Sequence, residues 1–557
     1  MMKKVNVYCE NTNQEKEVSI GTSLSEIAKS FNIEIEGGIL GVLENNKYRE
    51  LSYIVTKPSR VNFFGIENIE GERIYCRSLI FVLYKAIYDL FGKKYELSLC
   101  NSVSSGYFCT ATKGKVTLTD EQVLQVKNRM KEIIDNDIPI IRYEIPTEKA
   151  LALFKEQGLN SKAELFKTRG LIYSSVYKLD NVVDYYYGFL APSTGYLKVY
   201  DLIPYKNGMI LCTPDPKTNY KTVKPFVKQE KMLKNFIAYN NWNQLHKLDN
   251  IPDINNAVRS GEISDLIKVA EANQEVRMHY AAKEIHKNNK NIKIILLAGP
   301  SSSGKTTTAQ RLSVHLQMFN IKSYKISLDD YFVNRDKTPL DENGDYDYET
   351  IDALDIDFFN KQLNELLEGK EIELPSYDFI SGTRKFNNNK LKINKNEILI
   401  IEGIHGLNPN LTPYIDKKYI YKIYVSALTT VSIDSHNRIP STDNRLIRRI
   451  VRDYNFRGYS AKDTISRWQK VHEGEKKYIF PYQEEADFMF NSALIYEFCV
   501  FKNYLIQILD KVPENCVEFA EAQRLLKFIS YFESIDTHEI PPTSLMREFL
   551  GGSSFIY

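Results

Sequence analysis

The stretch KIILLAGPSSSGKTTTAQRLSVHLQMF, residues 293–319, decides the fold of the region around it. The apolar run KIILLA predicts a buried strand, and TTTAQRLSVHLQMF has the spacing of a helix. Between them, GPSSSGKT fits the pattern G-x-x-x-x-G-K-[ST] without a mismatch. The alternative is a chance match in a Gly/Ser-rich turn, which the strand and helix on its two sides disfavour. We therefore expect a strand–loop–helix unit whose loop binds phosphate.

The residues of this loop indicate how phosphates would be held. Gly299 and Gly304 let the backbone curl so that successive N–H groups face one anion, and the helix N-terminus adds positive partial charge. Lys305 can reach the β- and γ-phosphates, and the Thr306 hydroxyl can ligate Mg²⁺. We expect ATP and Mg²⁺ as cofactors. The predicted nucleotide-binding residues are Gly299, Ser301, Ser302, Ser303, Gly304, Lys305, Thr306 and Thr307.

Two later apolar runs each end in acidic residues. SYKISLDDYF (323–332) predicts a strand followed by Asp329 and Asp330, and ILIIEGIHG (398–406) predicts a strand that ends at Glu402. Ligands of a parallel sheet bind at the carboxyl ends of its strands, so these acids would face the phosphates. There a carboxylate can accept a proton from an attacking hydroxyl or hold Mg²⁺. The alternatives are a helix N-cap or loop carboxylate for the aspartates, and an edge carboxylate without a metal for Glu402.

The segment DNRLIRRIVRDYNFRG, residues 443–458, carries an unusual row of positive charge. Arginines at i, i+3, i+4 and i+7 share one face of the predicted helix, and a fifth precedes Gly458, a predicted hinge. Because a row of like charges destabilises an isolated helix, it needs an anion, and a triphosphate under a mobile lid would supply one. A solvated basic face or an RNA-binding patch is the alternative. These arginines are Arg445, Arg448, Arg449, Arg452 and Arg457.

Together these motifs resemble the uridine kinase and phosphoribulokinase group of P-loop kinases. The resemblance covers residues 291–500 and rests on the ordered motifs GPSSSGKTT, SLDDYF, PSYDFISGTR, IIEGIHGL and DNRLIRRIVRD-RG. It implies a parallel sheet with helices on both faces, and transfer of the γ-phosphate of ATP to a hydroxyl of a small acceptor.

The same resemblance assigns roles to single residues. Asp329 would be the general base and, with Thr306 and Glu402, would hold Mg²⁺, although Asp330 stays open as the base. The groups expected to offset transition-state charge are Lys305, Arg448, Arg452 and Arg457. The residues expected to bind the acceptor are Asp330, Tyr331, Glu349, Tyr377, Phe379 and Arg384.

Two positions depart from that family. Its base-reading histidine falls at Gly382 here, and Phe332 stands where the family often has tyrosine. A site built on hydrogen bonds discriminates strongly between ligands, so a missing donor changes which acceptor fits. The resemblance thus implies a nucleoside acceptor of the uridine-kinase type, and leaves another small polyol or sugar open.

Composition limits the remaining possibilities. The 557 residues, 43% hydrophobic and 26% charged, predict three or four globular domains and exclude a disordered or fibrous chain. The net charge is only +2, so nucleic-acid binding would need a local patch. The cysteines lack zinc-finger or redox spacing, and neither a signal peptide nor an apolar run of about 18–20 residues is present. We expect a cytoplasmic protein without a membrane partner.

Residues 1–225 carry a second resemblance. The order strand, strand, helix, strands in residues 1–66 suggests a β-grasp, similar to the TGS domain that begins threonyl-tRNA synthetases. Residues 67–225 resemble the editing-type second domain of those enzymes, through GERIYCRSLIFVLYKA and YYYGFLAPSTGYLKVY. No histidine precedes His246, so a histidine-ligated zinc or hydrolytic centre is excluded there. The positions of that domain's metal ligands read Arg77, Phe81, Tyr186 and Leu190 here.

The predicted architecture is therefore a multidomain α/β chain. The polar run KNNKN is a plausible boundary before the kinase domain, and Leu550, Phe555 and Tyr557 favour packing of the tail onto it. The predicted segments are a TGS-like β-grasp (1–66), an editing-like α+β domain (67–225), a helical connector (226–290), the P-loop kinase domain (291–510) and a C-terminal helical tail (511–557). The order of these modules, with REFLGGSSF at the end, resembles bacterial nucleoside kinases that carry a TGS domain.

A non-enzymatic hypothesis remains beside the kinase. The synthetase-like N-terminus suggests an RNA- or ribosome-associated regulator switched by ATP or GTP, which would bind RNA through residues 1–225 in a salt-sensitive way. The acceptor-pocket residues argue against it, because a switch needs no acceptor. A basic patch for RNA, or more simply a solvated surface, would consist of Arg77, Lys85, Lys93 and Lys94. Oligomeric state is not predicted.

Overall fold

The N-terminal unit of the protein is a five-stranded mixed sheet with one helix. The structure, a computed structural model, describes residues 3–104, 106–288, 291–341 and 344–556. The first elements are β1 Lys4–Cys9, β2 Gln14–Ser19, α1 Leu24–Ser30, β3 Gly41–Glu44, β4 Lys47–Arg49 and β5 Ser59–Phe64. The strand order is β2-β1-β5-β3-β4, with β1 and β5 parallel. α1 begins at a Ser23–Glu26 capping box and buries Leu24 and Ile27. The strands and helix predicted for this region are present.

Residues 67–225 form two antiparallel sheets around a long buried helix. The elements are α2 Ile69–Phe91, β6 Glu96–Val103, β7 Gly106–Lys113, β8 Val116–Thr117, α3 Asp120–Asp135, β9 Ile140–Pro146, α4 Thr147–Glu156, α5 Asn160–Thr168, β10 Tyr173–Leu179, β11 Val182–Asp184, β12 Asp201–Tyr205 and β13 Gly208–Cys212. One sheet has the order β11-β10-β9; the other is β12-β13-β7-β6, with β8 paired to β7. α2 is apolar around most of its circumference, so it is buried between these sheets and the C-terminal helices.

The kinase region is built on a five-stranded parallel sheet of order β15-β18-β14-β19-β22. Its strands are β14 Ile294–Ala298, β15 Lys322–Ser327, β18 Glu397–Glu402, β19 Ile420–Ser426 and β22 Phe488–Asn491. Two hairpins accompany it, β16 Ile372–Asp378 with β17 Thr383–Leu391, and β20 Ser432–Asp434 with β21 Asn437–Arg438. The helices are α6 Glu230–His246, α7 Ile251–Ser260, α8 Ile263–Lys287, α9 Lys305–Gln317, α10 Ile356–Leu367, α11 Ser441–Phe456, α12 Ala461–Tyr478, α13 Glu497–Leu509, α14 Glu518–Ile529 and α15 Arg547–Leu550.

Helices cover both faces of this sheet, as the sequence predicts. Side chains alternate along β14, so Ile295 and Leu297 pack against α8 and α9, whereas Ile294 and Leu296 pack against α10. A strand buried on both faces needs a continuous apolar run, which is what KIILLA supplies.

The boundary expected at residue 290 does not separate two packing units. Met278, Ala282 and Ile285 of α8 belong to the same apolar cluster as β14 and α9. The packed unit of the parallel sheet therefore reaches back into the predicted connector. Part of the KNNKN run, Asn289 and Lys290, lies outside the described residues.

The C-terminal segment packs against the rest of the chain. Leu545, Met546 and Phe549 are fully buried in the large central core. Of the residues used to predict this packing, Leu550 and Phe555 are half-buried, and Tyr557 lies outside the described residues. Among the helices that the structure describes, none has the length and apolarity required to cross a bilayer.

Candidate phosphoryl-transfer site

The phosphate loop connects β14 to α9 at the carboxyl edge of the parallel sheet. Gly304 caps α9 with φ of +83°, in the left-handed region that favours glycine. The Lys305 ammonium group donates to the carbonyls of Gly299 at 3.0 Å and Pro300 at 3.3 Å, so the side chain arches over the loop. Ser302 and Ser303 are buried beneath it. The loop is thus closed on itself in the shape that a phosphate cradle requires.

Thr306 and Glu402 meet beside this loop. The Thr306 hydroxyl donates to Glu402 Oε1 at 2.9 Å, because β18 lies next to β14 and ends at Glu402. The second carboxylate oxygen, Oε2, is buried without a hydrogen-bond partner among the described residues. Burial raises the pKa of Glu402, and the nearby Lys305 opposes that rise. The Thr306 hydroxyl oxygen and the Glu402 carboxylate, whose Oε2 has no hydrogen-bond partner in the described part of the chain, are suitable ligands for a hard cation such as Mg²⁺.

The two aspartates after β15 have different surroundings. Asp330 Oδ1 accepts the Tyr377 backbone N–H at 3.2 Å, which ties this carboxylate to β16. No hydrogen bond to the Asp329 carboxylate occurs among the described residues, although it lies within electrostatic reach of Lys305 and Arg457. Nearby protein groups partly desolvate the Asp329 carboxylate and raise its pKa, although the residue as a whole is exposed at the surface. Asp329 is therefore the less constrained of the two acids.

Glu349 lies on the same side of the site. Burial, reinforced by Glu475, raises its pKa to about 7, while Arg449 and Lys305 act in the opposite direction. Gly474 of α12 packs directly against it, since a Cβ there would lie 3.0 Å from Glu349 Cβ. A carboxyl group with this pKa exchanges a proton near neutral pH.

Three aromatic rings form the wall expected for an acceptor pocket. The Tyr377 ring lies 5.1 Å from that of Phe379 and 5.5 Å from that of Phe332, between ring centroids. The side of the cluster at Phe379 is open, with that residue 57% exposed. Aromatic rings in this arrangement provide an apolar surface against which a flat ligand can stack.

Two residues predicted to bind the acceptor hydrogen-bond to neighbouring residues of the protein. Tyr331 is only 1% exposed, and its hydroxyl donates to Gln362 at 2.8 Å, because the turn after β15 directs the ring into the core. The Arg384 guanidinium donates to Asp355 at 2.9 Å and to the Phe332 carbonyl at 3.0 Å. Both side chains are therefore engaged by neighbouring residues in this structure, and their direct contact with an acceptor stays a prediction.

The space beside Gly382 is filled by Arg335. A Cβ at Gly382 would lie 2.6 Å from Arg335 Nε, and the glycine has a φ of +68°. The Arg335 guanidinium donates to the carbonyl of Phe379 at 2.6 Å and to the Tyr348 hydroxyl at 3.2 Å. Sequence reasoning missed Arg335, because only its spatial proximity to residue 382, far along the chain, marks it.

The arginine row on α11 does not face one anion. Arg445 donates to Glu475 through both terminal nitrogens, and Arg448 donates to Glu497 Oε2 at 2.7 Å. Arg448 is fully buried, and its catalytic role stays a prediction that this ion pair does not support. The spacing i, i+3, i+4 and i+7 covers a wide arc of the helix surface, and neighbouring residues such as 448 and 449 differ by about 100° around the axis. Their side chains can therefore face different surroundings.

Two arginines of α11 contact Ser301 of the phosphate loop, and the first, Arg445, donates to its carbonyl at 3.2 Å. The Arg449 guanidinium donates to the Ser301 hydroxyl at 2.8 Å. Arg449, Arg452 and Arg457 surround the buried carboxylate of Asp453, at 3.3, 3.0 and 3.7 Å respectively. Three guanidinium groups against one carboxylate leave an excess of positive charge beside the loop. Arg449, Arg452 and Arg457 all belong to the predicted arginine row, and their contact with a triphosphate stays a prediction.

Ion pairs anchor α11, the helix that the sequence predicts to belong to a mobile lid. Asp443 in its first turn pairs with Arg524 of α14 at 2.7 Å, and Arg73 of α2 pairs with Glu521 of α14 at 2.9 Å. Gly458 adopts a φ of +70° in the turn between α11 and α12. The N-terminal half of the chain thus helps to hold the helix that carries the loop-facing arginines.

The region that contains this site is similar to known proteins. Residues 294–495 match the phosphoribulokinase / uridine kinase family. The uridine kinase of Lactobacillus helveticus is 32% identical over 176 residues, which cover 31% of this chain and 74% of that relative. The uridine kinase of Borrelia duttonii is 33% identical over 205 residues, which cover 35% of this chain and 84% of that relative. The chain belongs to the phosphoribulokinase / uridine kinase family. Membership supports an ATP-dependent kinase that acts on a small substrate.

The N-terminal part of this family member has other relatives. The threonine–tRNA ligase of Clostridium kluyveri is 29% identical over 193 residues, 34% of this chain. These residues cover only 30% of that ligase, so the similarity concerns a fraction of its length.

In this kinase-family chain, the four positions at which the sequence resemblance expects metal ligands lie in the packed interior or are engaged in hydrogen bonds. The rings of Phe81 and Tyr186 lie 5.3 Å apart in the core, and the Arg77 guanidinium donates to Glu70 and to the Phe189 carbonyl. In the part of the chain that the structure describes, no group of His, Cys, Asp and Glu is arranged to hold a metal ion.

The basic patch considered for RNA is not present as such. Lys85 is buried and pairs with Asp89 at 2.7 Å, and Arg77 is largely buried against Glu70. Only Lys93 and Lys94 of the four residues remain exposed.

The two halves of the kinase-family chain share buried charges and a cavity. Lys162 lies between Asp184, at 2.7 Å, and Asp434, at 2.9 Å, with all three side chains fully buried. A cavity of about 330 Å³ lies at the same junction, away from the phosphate loop. Residues of both halves line it, among them Tyr84, Ser98, Asn240, Asp249, Ser432 and His436.

Proposed function

We propose that this protein is an ATP-dependent kinase that phosphorylates the 5′-hydroxyl of a nucleoside. The observation that carries the proposal is the Thr306–Glu402 hydrogen bond beside the Lys305 loop, with Asp329 on the adjacent strand end. A phosphate cradle alone fits any nucleotide-binding protein. A cradle that faces a carboxylate and an aromatic pocket is what transfer to an acceptor requires.

Each residue of the site has a separate role in the proposed transfer. Thr306 and Glu402 would hold Mg²⁺, which neutralises charge on the β- and γ-phosphates when bound. Asp329 orients the acceptor hydroxyl and accepts its proton, and its raised pKa suits a group that must bind a proton during the reaction. Lys305 and the arginines around Asp453 stabilise the charge of the loose transition state.

The acceptor pocket supports a nucleoside and also gives a reason for a second candidate. Tyr377, Phe379 and Phe332 offer a stacking wall for a base. Arg335, however, places a guanidinium beside Gly382, where the resemblance puts a neutral or positive imidazole. A permanent cation there favours an acceptor rich in oxygen acceptors, so a small polyol or sugar is the alternative.

We also propose that residues 1–66 and 67–225 are TGS-like and editing-like modules that act as a scaffold for α11. The ion pairs of Lys162 with Asp434, and of Arg73 with Glu521, support this role. A regulator that binds RNA finds less support, because Arg77 and Lys85 are paired and not exposed for phosphate contacts.

The test is ATP consumption by the purified protein against uridine, cytidine, adenosine, guanosine, inosine, thymidine, several sugars and polyols, and a blank without acceptor. A nucleoside kinase gives a clear rate with one or a few nucleosides, and Lys305→Ala abolishes it. A rate with a sugar or polyol alone selects the second candidate. A rate equal to the blank for every acceptor contradicts both, and salt-sensitive RNA binding would then favour the regulator.

A further inference from the structure

The C-terminal end of the chain lies on the phosphate loop. We define the C-terminal clasp as residues 541–556, which includes α15. Leu545 packs directly on the loop, since a Cβ at Gly304 would lie 2.6 Å from Leu545 Cδ1. Phe549 lies beneath the Arg448 guanidinium at 5.2 Å, and its carbonyl accepts from Asn455 of α11 at 3.1 Å. The clasp therefore contacts both the loop and the helix that carries the loop-facing arginines.

The clasp also places a carboxylate at the first turn of α9. Glu548 Oε2 accepts the Thr307 hydroxyl at 2.5 Å. Thr307 directly follows Thr306 at the N-terminus of this helix, where the helix dipole favours an anion. Glu548 is close enough to Glu402 to raise that residue's pKa, and close enough to Arg457 to stabilise its charged form. The Glu548 carboxylate thus lies in the positive electrostatic potential at the N-terminus of α9 that would also attract the phosphates.

We propose that Glu548 is an internal competitor of the nucleotide: the clasp lowers the affinity of the phosphate loop for ATP, and bound ATP displaces Glu548 from Thr307. The inference rests on the proposed function, because it takes the loop as the site of a nucleoside triphosphate. The proposed role of the clasp is to regulate ATP binding, and phosphoryl transfer itself does not require it.

Two physical arguments support displacement. The Thr307 hydroxyl has one hydrogen, and while Glu548 accepts it, a phosphate oxygen cannot. A carboxylate and a polyphosphate beside the same helix terminus also repel each other, in a partly desolvated site where screening by salt is weak. Leu545 and Phe549 oppose release, because both are buried and would become exposed if the whole clasp left. A local movement of α15 that frees Thr307 satisfies all of these constraints.

The test compares ATP·Mg²⁺ binding to the full-length wild type, Glu548→Gln and Glu539→Gln by titration calorimetry. Glutamine keeps the shape of Glu548 and can accept the same hydrogen bond, but it removes the charge. We expect Glu548→Gln to bind ATP about tenfold more tightly than the wild type, as one fewer negative charge near a triphosphate implies. Glu539→Gln is the matched control within the same region, since Glu539 pairs with the exposed His538, and its affinity should equal the wild-type value.

Hydrogen–deuterium exchange of the clasp provides a readout that does not depend on turnover. Addition of ATP·Mg²⁺ should increase exchange locally, in α15 (Arg547–Leu550), in the wild type. Equal or weaker ATP binding by Glu548→Gln, or exchange that ATP leaves unchanged or lowers, would overturn the proposal. These results differ from failure of the proposed function, in which ATP binds but no acceptor is phosphorylated, or neither wild type nor variant binds ATP.

Discussion

Arg448 and Glu497 form a buried ion pair, with 2.7 Å between Nε and Oε2. The same guanidinium donates to the Ser492 carbonyl at 2.9 Å, so its donors are used inside the core. One residue further along α11, Arg449 contacts Ser301 of the phosphate loop. A single turn of helix therefore carries one arginine that maintains the fold and one that faces the nucleotide site.

Substitution of these two arginines should separate stability from catalysis. Arg448→Met leaves Glu497 buried and unpaired, which costs about 3–5 kcal/mol of unfolding free energy. Arg449→Ala should instead raise the KM for ATP with a much smaller effect on unfolding. The measurements are the denaturant midpoint and steady-state kinetics of each variant. If Arg448→Met unfolded like the wild type and lost turnover, the catalytic role expected from the sequence would be supported.

The sequence predicts the parts of the site that depend on local pattern. The apolar run before Gly299, the acids that end β15 and β18, and the pairing of Thr306 with Glu402 all follow from strands whose ends meet at one edge. The partners of the arginines do not follow, because Glu475 and Glu497 lie 30 and 49 residues further along the chain. Periodicity shows which residues share a face, but it does not show what that face touches.

Arg335 and Glu548 were missed for a related reason. Arg335 belongs to none of the motifs, and Glu548, although part of REFLGGSSF, reaches Thr307 across 241 residues of chain. Their positions depend on how the C-terminal segment and the loop after β15 pack, which is a tertiary property. Tyr331 and Arg384 illustrate the converse, since each lies inside a motif and hydrogen-bonds to a residue outside it.

Asp329→Asn tests the assignment of the general base. Loss of a positioned base lowers turnover by about 10²–10⁴-fold, while ATP binding should stay near the wild-type value because Thr306, Glu402 and Lys305 remain. Turnover and ATP affinity are measured separately, by initial rates and calorimetry. Asp330→Asn is the matched control: it weakens the contact with the Tyr377 N–H and should affect mainly the KM for the acceptor. Normal turnover of Asp329→Asn, with loss in Asp330→Asn, would reverse the assignment.

Arg335→Ala tests whether this side chain shapes the acceptor pocket. It removes the donors to the Phe379 carbonyl and the Tyr348 hydroxyl, so the aromatic wall loses its brace and the pocket loses a cation. We expect the KM for the acceptor to rise at least about tenfold, which corresponds to the loss of one hydrogen bond to a charged group. The KM for ATP should not change. Lys337→Ala, an exposed neighbour in the same loop, serves as the control. Equal effects on both KM values would contradict a specific acceptor role.

Glu349 gives the site a pH dependence whose sign can be predicted. Its pKa rises from an ordinary 4.5 to about 7 in the folded protein. Between pH 4.5 and 7, Glu349 is therefore protonated in the folded state and ionised in the unfolded chain. The free energy of unfolding is highest, as far as Glu349 determines it, below about pH 4.5, and it falls as the pH rises to 7.

Glu349→Gln, which is neutral at every pH, isolates this contribution. Its unfolding midpoint should equal that of the wild type near pH 4.5, since both side chains are then uncharged. Between pH 4.5 and 7 the wild type should lose stability relative to the variant, and the difference should level off above pH 7. The measurement is the difference between the two midpoints in one buffer series. A difference that stays constant from pH 4.5 to 8 would show that Glu349 titrates normally, and that Glu475 and burial do not hold its proton.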